Sequence, residues 1–327
     1  MQPPDRQPRL SLERIEAAAC AIDAVFLNTP QFEAEPLSAV LGARVVLKVE
    51  TLNPIRSFKG RGASHYMAQL AQAAPGAEVV CASAGNFGQA MAYAGRARGI
   101  AVTVYAAESA SPLKVERMRG LGATVVLSGE DFDAARAAAR QAAAERGARL
   151  AVDSLDVETV EGAGTIGLEL QRLDQPLDVL LLPLGNGALC NGVATVMRQR
   201  SPTTQLVAVA AAGASAMVAS WRSGRLVEHE RTDTIADGLA SRSPIPEALA
   251  DMQGLIDDAV LVADESMVAG IRLLHAHAGL VAEPSAAAGV AAILEDPARF
   301  RGLRVGTIVC GGNVAEDQLG RWLGAGV

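Results

Sequence analysis

The chain has 327 residues and a net charge of −7, and half of its residues are apolar while only 3% are aromatic. This length favours about two domains with a large core. The acidic charge and the lack of a basic patch or tail disfavour nucleic acid and anionic membranes as partners, and no apolar run approaches the length of a membrane span.

The cysteines and the N-terminal segment favour a cytoplasmic protein. The four cysteines are scattered and form no CxxC pair, which is typical of reduced thiols. The four histidines are also dispersed, so a zinc site is not expected. The segment from Met1 to Leu10 is polar and rich in proline, unlike a signal peptide.

The first half of the chain alternates between helical and strand patterns. Ser11 is a plausible N-cap for a helix over residues 11–23, and an irregular stretch is expected over 25–37. The pattern then predicts strands over 44–50, 79–83, 101–106, 124–127 and 150–152, and helices over 59–72, 86–99, 112–121 and 131–146. Residues 78–153 are expected to form a small α/β unit.

The second half repeats this alternation. A helix is predicted over 157–173, and the nearly pure apolar run 177–183 is typical of a parallel strand buried on both faces. The remaining pattern predicts strands over 205–211, 260–263 and 304–309. It also predicts a helix after the loop 185–189, a helix with Asp264 as its N-cap, and a helix over 284–294.

One lysine, Lys59, lies in a setting that suits catalysis. It follows Phe58 where a helix is predicted to begin, and Gly60 and Gly62 follow it. A fixed stem, partial desolvation and backbone room for a bound group suit a nucleophilic lysine. A lone lysine in a glycine-rich turn is more often a solvated surface group, so this motif alone leaves both interpretations open.

Three loops with small residues follow apolar strands, where ligands bind in open parallel sheets. They are residues 83–86, 185–189 and 310–313. The loop 185–189 lets backbone N–H groups approach an anion at a helix N-terminus. It lacks the Lys-Ser/Thr of a nucleoside-triphosphate loop, and no GxGxxG follows the first strand, so nucleotide binding is disfavoured. Each loop alone is also compatible with an ordinary strand-to-helix turn.

Together these segments resemble the fold-type II pyridoxal-phosphate enzymes, specifically the threonine/serine dehydratase and serine racemase branch of the tryptophan synthase beta superfamily. The segments that carry the resemblance stand in the family's order and spacing: residues 57–63, 83–86, 122–127, 162–166, 185–189, 234–239, 283–284 and 311–313. The resemblance implies an α/β fold of two domains, each an open, mostly parallel sheet flanked by helices. Residues 1–77 and 154–327 would form the large cofactor-binding domain and 78–153 the small one, with the active site in the cleft between them.

The resemblance also implies roles for individual residues. Lys59 would be the catalytic residue, joined to pyridoxal 5'-phosphate as a Schiff base, with Phe58 beside the ring, Asn86 on the 3-hydroxyl oxygen and Cys310 facing the pyridine nitrogen. The phosphate would be bound by Gly185, Asn186, Gly187, Ala188 and Leu189. The substrate carboxylate would be bound by Ser83, Ala84, Gly85, Asn86 and Phe87. Asp237 and Glu283 are expected beside the substrate.

The chain departs from the family's pattern at several positions. Phe87 replaces a usual histidine, and Asn186 and Ala188 interrupt the usual run of glycines. Ala84 stands where serine racemase has a second serine, so racemisation is not expected. Ala210 stands where many members have a cation-binding glutamate, so no metal site is expected. A regulatory domain with allosteric feedback is not expected either.

These residues favour a pyridoxal-phosphate-dependent ammonia-lyase. It would act on a 3-hydroxy amino acid of the threonine or serine type, or a bulkier analogue such as a phenylserine or a hydroxyaspartate, to give a 2-keto acid and ammonia. The alternatives are a β-replacement transferase, an amino-acid racemase and a non-catalytic protein that binds the cofactor. The resemblance implies a homodimer whose ligand is a small amino acid.

Overall fold

The computed structural model describes residues 8–324, and its strands form two sheets. The first seven residues of the polar N-terminal segment lie outside the described part. The larger sheet has the strand order β1-β2-β10-β7-β8-β9, with β1 antiparallel to β2 and all other pairs parallel. Its strands are β1 (Gln31–Glu33), β2 (Arg44–Val49), β7 (Val179–Pro183), β8 (Gln205–Ala211), β9 (Asp258–Val262) and β10 (Arg304–Val309).

The smaller sheet has the order β5-β4-β3-β6 and is parallel throughout. Its strands are β3 (Val79–Ala82), β4 (Val102–Ala106), β5 (Thr124–Leu127) and β6 (Arg149–Ala151). All four come from one continuous stretch of chain. The prediction of an α/β fold with mostly parallel sheets is therefore confirmed.

Helices connect the parallel strands, as crossovers between such strands require. They are α1 (Leu12–Ala21), α2 (Glu35–Leu41), α3 (Lys59–Ala73), α4 (Asn86–Arg98), α5 (Pro112–Gly120), α6 (Phe132–Arg146), α7 (Val157–Leu170), α8 (Ala188–Arg200), α9 (Ala216–Ser223), α10 (Pro246–Met252), α11 (Asp264–Ala278), α12 (Pro284–Glu295), α13 (Pro297–Phe300) and α14 (Glu316–Leu323). None of the helices between residues 8 and 324 has the length and hydropathy needed to cross a bilayer.

The core of the larger sheet is apolar because its central strands are covered on both faces. All five residues of β7 are buried, and α12, rich in alanine, packs against β7, β8, β9 and β10. The core of the smaller sheet includes residues of α1 and α3 as well as its own helices. The helix α3 packs between α4 and α7 and carries Lys59 at its first position.

Two glycines allow α3 to pack closely against α7. A Cβ on Gly62 would lie 2.4 Å from the carbonyl oxygen of Thr159, and a Cβ on Gly162 would lie 2.6 Å from the Gly62 Cα. No side chain fits at such distances. These glycines of the sequence motifs therefore fix the position of α3, and with it the position of Lys59.

The stretch 25–37 is not irregular as expected. It contains β1, an edge strand of three residues, and the beginning of α2. Pro36 in the first turn of α2 and Gly42 at its end, in the left-handed conformation, are ordinary helix signals that the sequence interpretation missed. The helices α9, α10, α13 and α14 were not predicted either.

Candidate active site

Lys59 Nζ lies beside an aromatic ring and a carboxylate. It is 4.6 Å from the centroid of the Phe58 ring and 2.6 Å from Asp153 Oδ2. Only 18% of the Lys59 side chain is exposed. The Phe58 N–H donates to the Cys310 carbonyl oxygen at 3.0 Å, which ties the start of α3 to the end of β10. The structure thus brings together the predicted residues Phe58, Lys59 and Cys310.

Asp153 belongs to this site, although sequence analysis did not single it out. It lies two positions after the end of β6, and its Oδ1 atom is buried without a hydrogen-bond partner among residues 8–324. Ser154 follows with a φ of 67°, and its Oγ accepts a hydrogen bond of 3.1 Å from the Ala188 N–H. An aspartate before a helix resembles an ordinary capping residue, so nothing in the sequence distinguishes it.

The loop between β7 and α8 provides backbone donors. Gly187 has a φ of 103°, in the region that favours glycine. The N–H groups of Gly185, Asn186 and Gly187 donate to no protein acceptor within the described residues, and they lie where the dipole of α8 favours an anion. The Asn186 side chain is held by Ser241, whose hydroxyl donates to Asn186 Oδ1 at 2.6 Å.

The predicted loop 83–87 lies where β3 leads into α4. Ser83 Oγ accepts hydrogen bonds from the N–H groups of Gly85, at 3.1 Å, and Gly88, at 2.9 Å. Ala84 and Gly85 are partly exposed and Phe87 is buried. The Ser83 hydroxyl therefore shapes the loop where it leads into the first turn of α4.

Asn86 joins this loop to the larger sheet through a hydrogen-bond network. Asn86 Nδ2 donates to Glu283 Oε1 at 2.9 Å, and Asn86 Oδ1 accepts from Asn313 Nδ2 at 2.8 Å. Glu283 also accepts from Ser285 Oγ at 2.9 Å. Burial raises the pKa of Glu283, although the hydrogen bonds from Asn86 and Ser285 oppose that shift. The predicted residues Asn86 and Glu283 are thus in direct contact.

Cys310, at the end of β10, is 5% exposed. Burial raises its pKa, and the nearby charge of Glu283 raises it further. The side chain therefore remains a thiol at neutral pH.

Asp237 lies in a 3-10 turn over Asp237–Leu239, and its side chain is 78% exposed. It forms an ion pair of 2.6 Å with Lys114 Nζ on α5. The following residue, Gly238, has its carbonyl oxygen against Gly185. The turn thus borders the loop 185–189, while the Asp237 carboxylate points to α5.

Two arginines near Asn313 were also not singled out from the sequence. Arg117 Nη1 donates to Asn313 Oδ1 at 3.0 Å. Burial lowers the pKa of Arg117, and the positive charge of Arg56 lowers it further. Arg56 has a φ of 52°.

No group of three or more His, Cys, Asp or Glu side chains suited to a metal ion occurs among residues 8–324, and the absence of a metal site at Ala210 stays a prediction.

Comparisons with known proteins agree with this geometry. The family model described as pyridoxal-phosphate dependent enzyme matches residues 22–311. The chain is 33% identical to L-threonine ammonia-lyase of Thermotoga maritima over 97% of this chain and 79% of that protein. Maize serine racemase has a similar structure, with a TM-score of 0.90, 28% identity and coverage of 95% of this chain and 96% of that one. Threonine deaminase isoform 2 of Solanum lycopersicum gives a TM-score of 0.87 at 29% identity, with coverage of 98% and 93%.

The residues of the site fit pyridoxal phosphate. Three backbone N–H groups that meet no acceptor within residues 8–324 lie at the N-terminus of a 13-residue helix and suit its phosphate. The amine of Lys59 lies close by, as a lysine that bonds the cofactor requires. Because the family model covers most of the chain and the site has the donors that the cofactor needs, this chain belongs to the family of pyridoxal-phosphate dependent enzymes.

Proposed function

We propose that this enzyme acts on a 3-hydroxy amino acid of the threonine or serine type. It removes the β-hydroxyl and the amino group by α,β-elimination and gives a 2-keto acid and ammonia. The observation that carries the proposal is the setting of the Lys59 amine in a chain 33% identical to an L-threonine ammonia-lyase. The amine lies 4.6 Å from the centroid of the Phe58 ring and pairs with Asp153, whose neighbour Ser154 accepts a hydrogen bond from the Ala188 N–H.

The cofactor, when bound, supplies an electron sink for the charge that develops at the substrate Cα. Lys59 is the residue that bonds it, Phe58 packs beside its ring and Asn86 binds its 3-hydroxyl oxygen. The phosphate is held by Gly185, Asn186, Gly187, Ala188 and Leu189. The free N–H groups at the start of α8 support this assignment.

The first turn of α4 binds the substrate carboxylate. Residues 83–87 offer backbone N–H groups at the positive end of a helix, a setting that favours an anion. With the carboxylate held there, the substrate Cα lies toward Lys59, which takes its proton as a general base. Phe87 makes the wall of this part of the site apolar.

Cys310 directs the reaction toward elimination. Because its thiol stays protonated, it does not place a negative charge against the pyridine nitrogen. A carboxylate there would hold that nitrogen protonated and favour a long-lived negative charge at Cα. The thiol instead favours prompt loss of the β-substituent, which is the chemistry of a lyase.

The proposal includes the arrangement of the chain. Residues 1–77 and 154–327 form the cofactor-binding domain, residues 78–153 form a smaller domain, and the reaction takes place between them. The two separate sheets support this division. The enzyme acts as a homodimer in the cytoplasm; the four free cysteines, none of them in a disulfide, support that compartment.

The test is a comparison of purified holoenzyme with the Lys59→Ala variant. The holoenzyme is expected to show the visible absorbance band of the bound cofactor and to form 2-ketobutyrate from threonine or pyruvate from serine. Lys59→Ala is expected to lose both, whereas Lys114→Ala, which changes a lysine of α5, keeps the band. A band that survives in Lys59→Ala would contradict the assignment of Lys59.

Product analysis separates the alternatives. Keto acid and ammonia in equal amounts support the lyase. A new thioether after addition of a thiol, with no keto acid, would indicate β-replacement. Recovery of both enantiomers of the substrate would indicate racemisation. A cofactor band that no amino acid changes would indicate a non-catalytic protein.

A further inference from the structure

The residues just before α1 contact the active site from behind, and the proposed reaction does not use them. Residues 9–11, here called the N-terminal arm, lie against the turn 153–156 that connects β6 to α7. Arg9 Nη2 donates to the Ser154 carbonyl oxygen at 3.1 Å, and Arg9 Nη1 donates to the carbonyl oxygen of Leu155. Within the described part of the chain, no other group donates to these two carbonyl oxygens.

The guanidinium of Arg9 is itself held by a carboxylate of α10. Arg9 Nε donates to Asp251 Oδ2 at 3.0 Å, and the Asp251 side chain is 6% exposed. A guanidinium carries its donors in a rigid planar fork, so a carboxylate on one edge fixes the direction of the remaining donors. Asp251 therefore orients Arg9 toward the two carbonyl oxygens of the turn.

The turn needs this restraint because its backbone is strained. Ser154 has a φ of 67°, which is unfavourable for a residue other than glycine and persists only where the surroundings enforce it. On the N–H side of the turn, Val152 donates to Asp156 Oδ2 at 2.7 Å. The Ser154 N–H donates to Thr159 Oγ1 at 3.0 Å. Arg9 supplies the matching restraint on the carbonyl side.

Two side chains of the turn reach into the site. Asp153 Oδ2 lies 2.6 Å from Lys59 Nζ. Ser154 Oγ accepts a hydrogen bond of 3.1 Å from the Ala188 N–H at the start of α8, next to the proposed phosphate donors. A change in the backbone of the turn would therefore move contacts of both the lysine and the phosphate-binding loop.

The N-terminal arm is anchored by contacts of its own. Leu10 is 7% exposed and forms a small apolar cluster with Val160 of α7 and Ala188 of α8. The Ser11 N–H donates to Glu161 Oε1 at 3.2 Å. These contacts fix the arm against α7 and α8, so that Arg9 approaches the turn from a defined position.

We infer that Arg9 is a positioning residue for the cofactor site. By holding the carbonyl groups of the turn, it keeps the Ser154 hydroxyl against α8 and the Asp153 carboxylate beside Lys59. The inference rests on the proposed function, in which Lys59 bonds pyridoxal phosphate and the loop 185–189 holds its phosphate. Without Arg9, the turn is free to leave the left-handed conformation, and the cofactor is bound less tightly.

Titration of pyridoxal phosphate into cofactor-free protein tests the inference without turnover. Arg9→Ala is expected to weaken binding about tenfold. Arg9→Lys keeps a charge opposite Asp251 but lacks the planar fork, so it is expected to weaken binding about threefold. Arg200→Ala removes an exposed arginine that pairs with Glu16 of α1, and this matched control is expected to keep the affinity. Unchanged affinity in either Arg9 variant would overturn the inference.

Hydrogen exchange of the cofactor-free protein distinguishes positioning from a general loss of stability. In both Arg9 variants, the amides of Val152 and Ser154 are expected to exchange several times faster than in the unaltered protein, because the turn opens locally. The amides of the buried strand β7 are expected to keep their rates. Equal acceleration in the turn and in β7 would overturn the positioning role.

Turnover measured in parallel separates failure of this inference from failure of the proposed function. Keto acid from threonine or serine, together with unchanged cofactor affinity in the Arg9 variants, would overturn this inference alone. The absence of keto acid in the unaltered holoenzyme would overturn the proposed function, whereas weaker cofactor binding in the Arg9 variants would still support the positioning role.

Discussion

Arg61 lies two residues after Lys59 and is fully buried, yet it takes no part in the site. Its guanidinium pairs with Glu50 at 2.8 Å and with Glu169 at 2.7 Å. Lys48 also pairs with Glu169, at 2.5 Å. This cluster connects β2, α3 and α7. Buried charges of this kind are tolerated only while every partner is present.

Replacing Glu169 by glutamine is expected to lower the free energy of unfolding by about 3 kcal/mol, because it leaves Lys48 and Arg61 with an incomplete set of partners. Burial alone raises the pKa of Glu169, but hydrogen bonds and charges from Arg61 and Lys48 outweigh it and hold the pKa at about 2. The ionised carboxylate therefore stabilises the folded state above its ordinary pKa of 4.5, and this contribution is lost as the pH falls from there to about 2.

Urea denaturation near neutral pH and near pH 3 checks this expectation. The difference between the unaltered protein and Glu169→Gln is expected to shrink at the lower pH. Glu16→Gln, which removes an exposed partner of Arg200, is the control and is expected to cost less than about 1 kcal/mol. An equal difference at both pH values would contradict the role given to the charge of Glu169.

The cysteines are expected to differ sharply in reactivity. Cys20 is exposed, whereas Cys81, Cys190 and Cys310 are buried. Burial raises the pKa of Cys81 and of Cys190 to about 12 and also raises that of Cys310. Since the thiolate is the reactive form, iodoacetamide is expected to label Cys20 alone in the folded holoenzyme, as read by mass spectrometry. Rapid labelling of Cys310 would contradict its description as a protonated thiol.

At the residue scale, the sequence allowed prediction of residues whose function depends on their immediate neighbours in the chain. Lys59 and the small-residue loops stand out because a tight turn or a helix start needs particular residues at short spacing. The contact between Lys59 and Asp153 joins positions 94 apart, and that between Arg61 and Glu169 joins positions 108 apart. No local pattern encodes such pairs, so Asp153 and the role of Arg61 could not be predicted from one sequence.

At the scale of elements, the helices and strands with a strong hydrophobic periodicity can be predicted from the sequence. Elements that depend on pairing with a distant part of the chain cannot. The strand β7 was predicted because a run of buried apolar residues is distinctive. The strand β1 has three residues and exists through its antiparallel pairing with β2, which leaves almost no pattern of its own. The helix α2 did have readable start and stop signals, in Pro36 and Gly42, so missing it was an error of interpretation.

The loop between β7 and α8 is expected to tolerate no side chain at its first glycine. A Cβ on Gly185 would lie 2.3 Å from the carbonyl oxygen of Gly238, so the loop must shift in Gly185→Ala. Because the proposed phosphate donors lie on that loop, affinity for pyridoxal phosphate is expected to fall about tenfold or more. Titration of the cofactor into cofactor-free protein measures this.

Gly320→Ala is the matched control for that substitution. Gly320 lies on α14, where a new Cβ would meet no atom within 4 Å. The added methyl group is expected to leave cofactor affinity unchanged and to stabilise the helix by up to about 1 kcal/mol. Unchanged affinity in Gly185→Ala as well would show that the loop does not bind the phosphate.

At the scale of the whole molecule, polar contacts join the unit of the smaller sheet to the rest of the chain. Lys114 pairs with Asp237, and Arg242 pairs with Asp133. The hydrogen bonds of Asn86 to Glu283 and of Arg117 to Asn313 make the same connection nearer the site. The junction also includes the apolar packing of α1 and α3 against the smaller sheet, so we expect the polar contacts to open and close near the site while that packing stays intact.

Charge reversal of the Lys114–Asp237 pair tests whether this closure serves catalysis. Lys114→Glu and Asp237→Lys each place like charges together, and each is expected to lower kcat/KM severalfold. The double variant restores the attraction with opposite polarity and is expected to recover most of the loss. The coupling energy is expected to be about 0.5–1 kcal/mol, since the Asp237 side chain is 78% exposed and water screens the pair. Salt near 1 M is expected to remove most of this coupling, because the screening length is then about 3 Å. If the losses of the two single variants simply add in the double variant, at low as well as at high salt, the pair does not couple the two parts of the molecule. Closure would then depend on the contact between Asn86 and Glu283 instead.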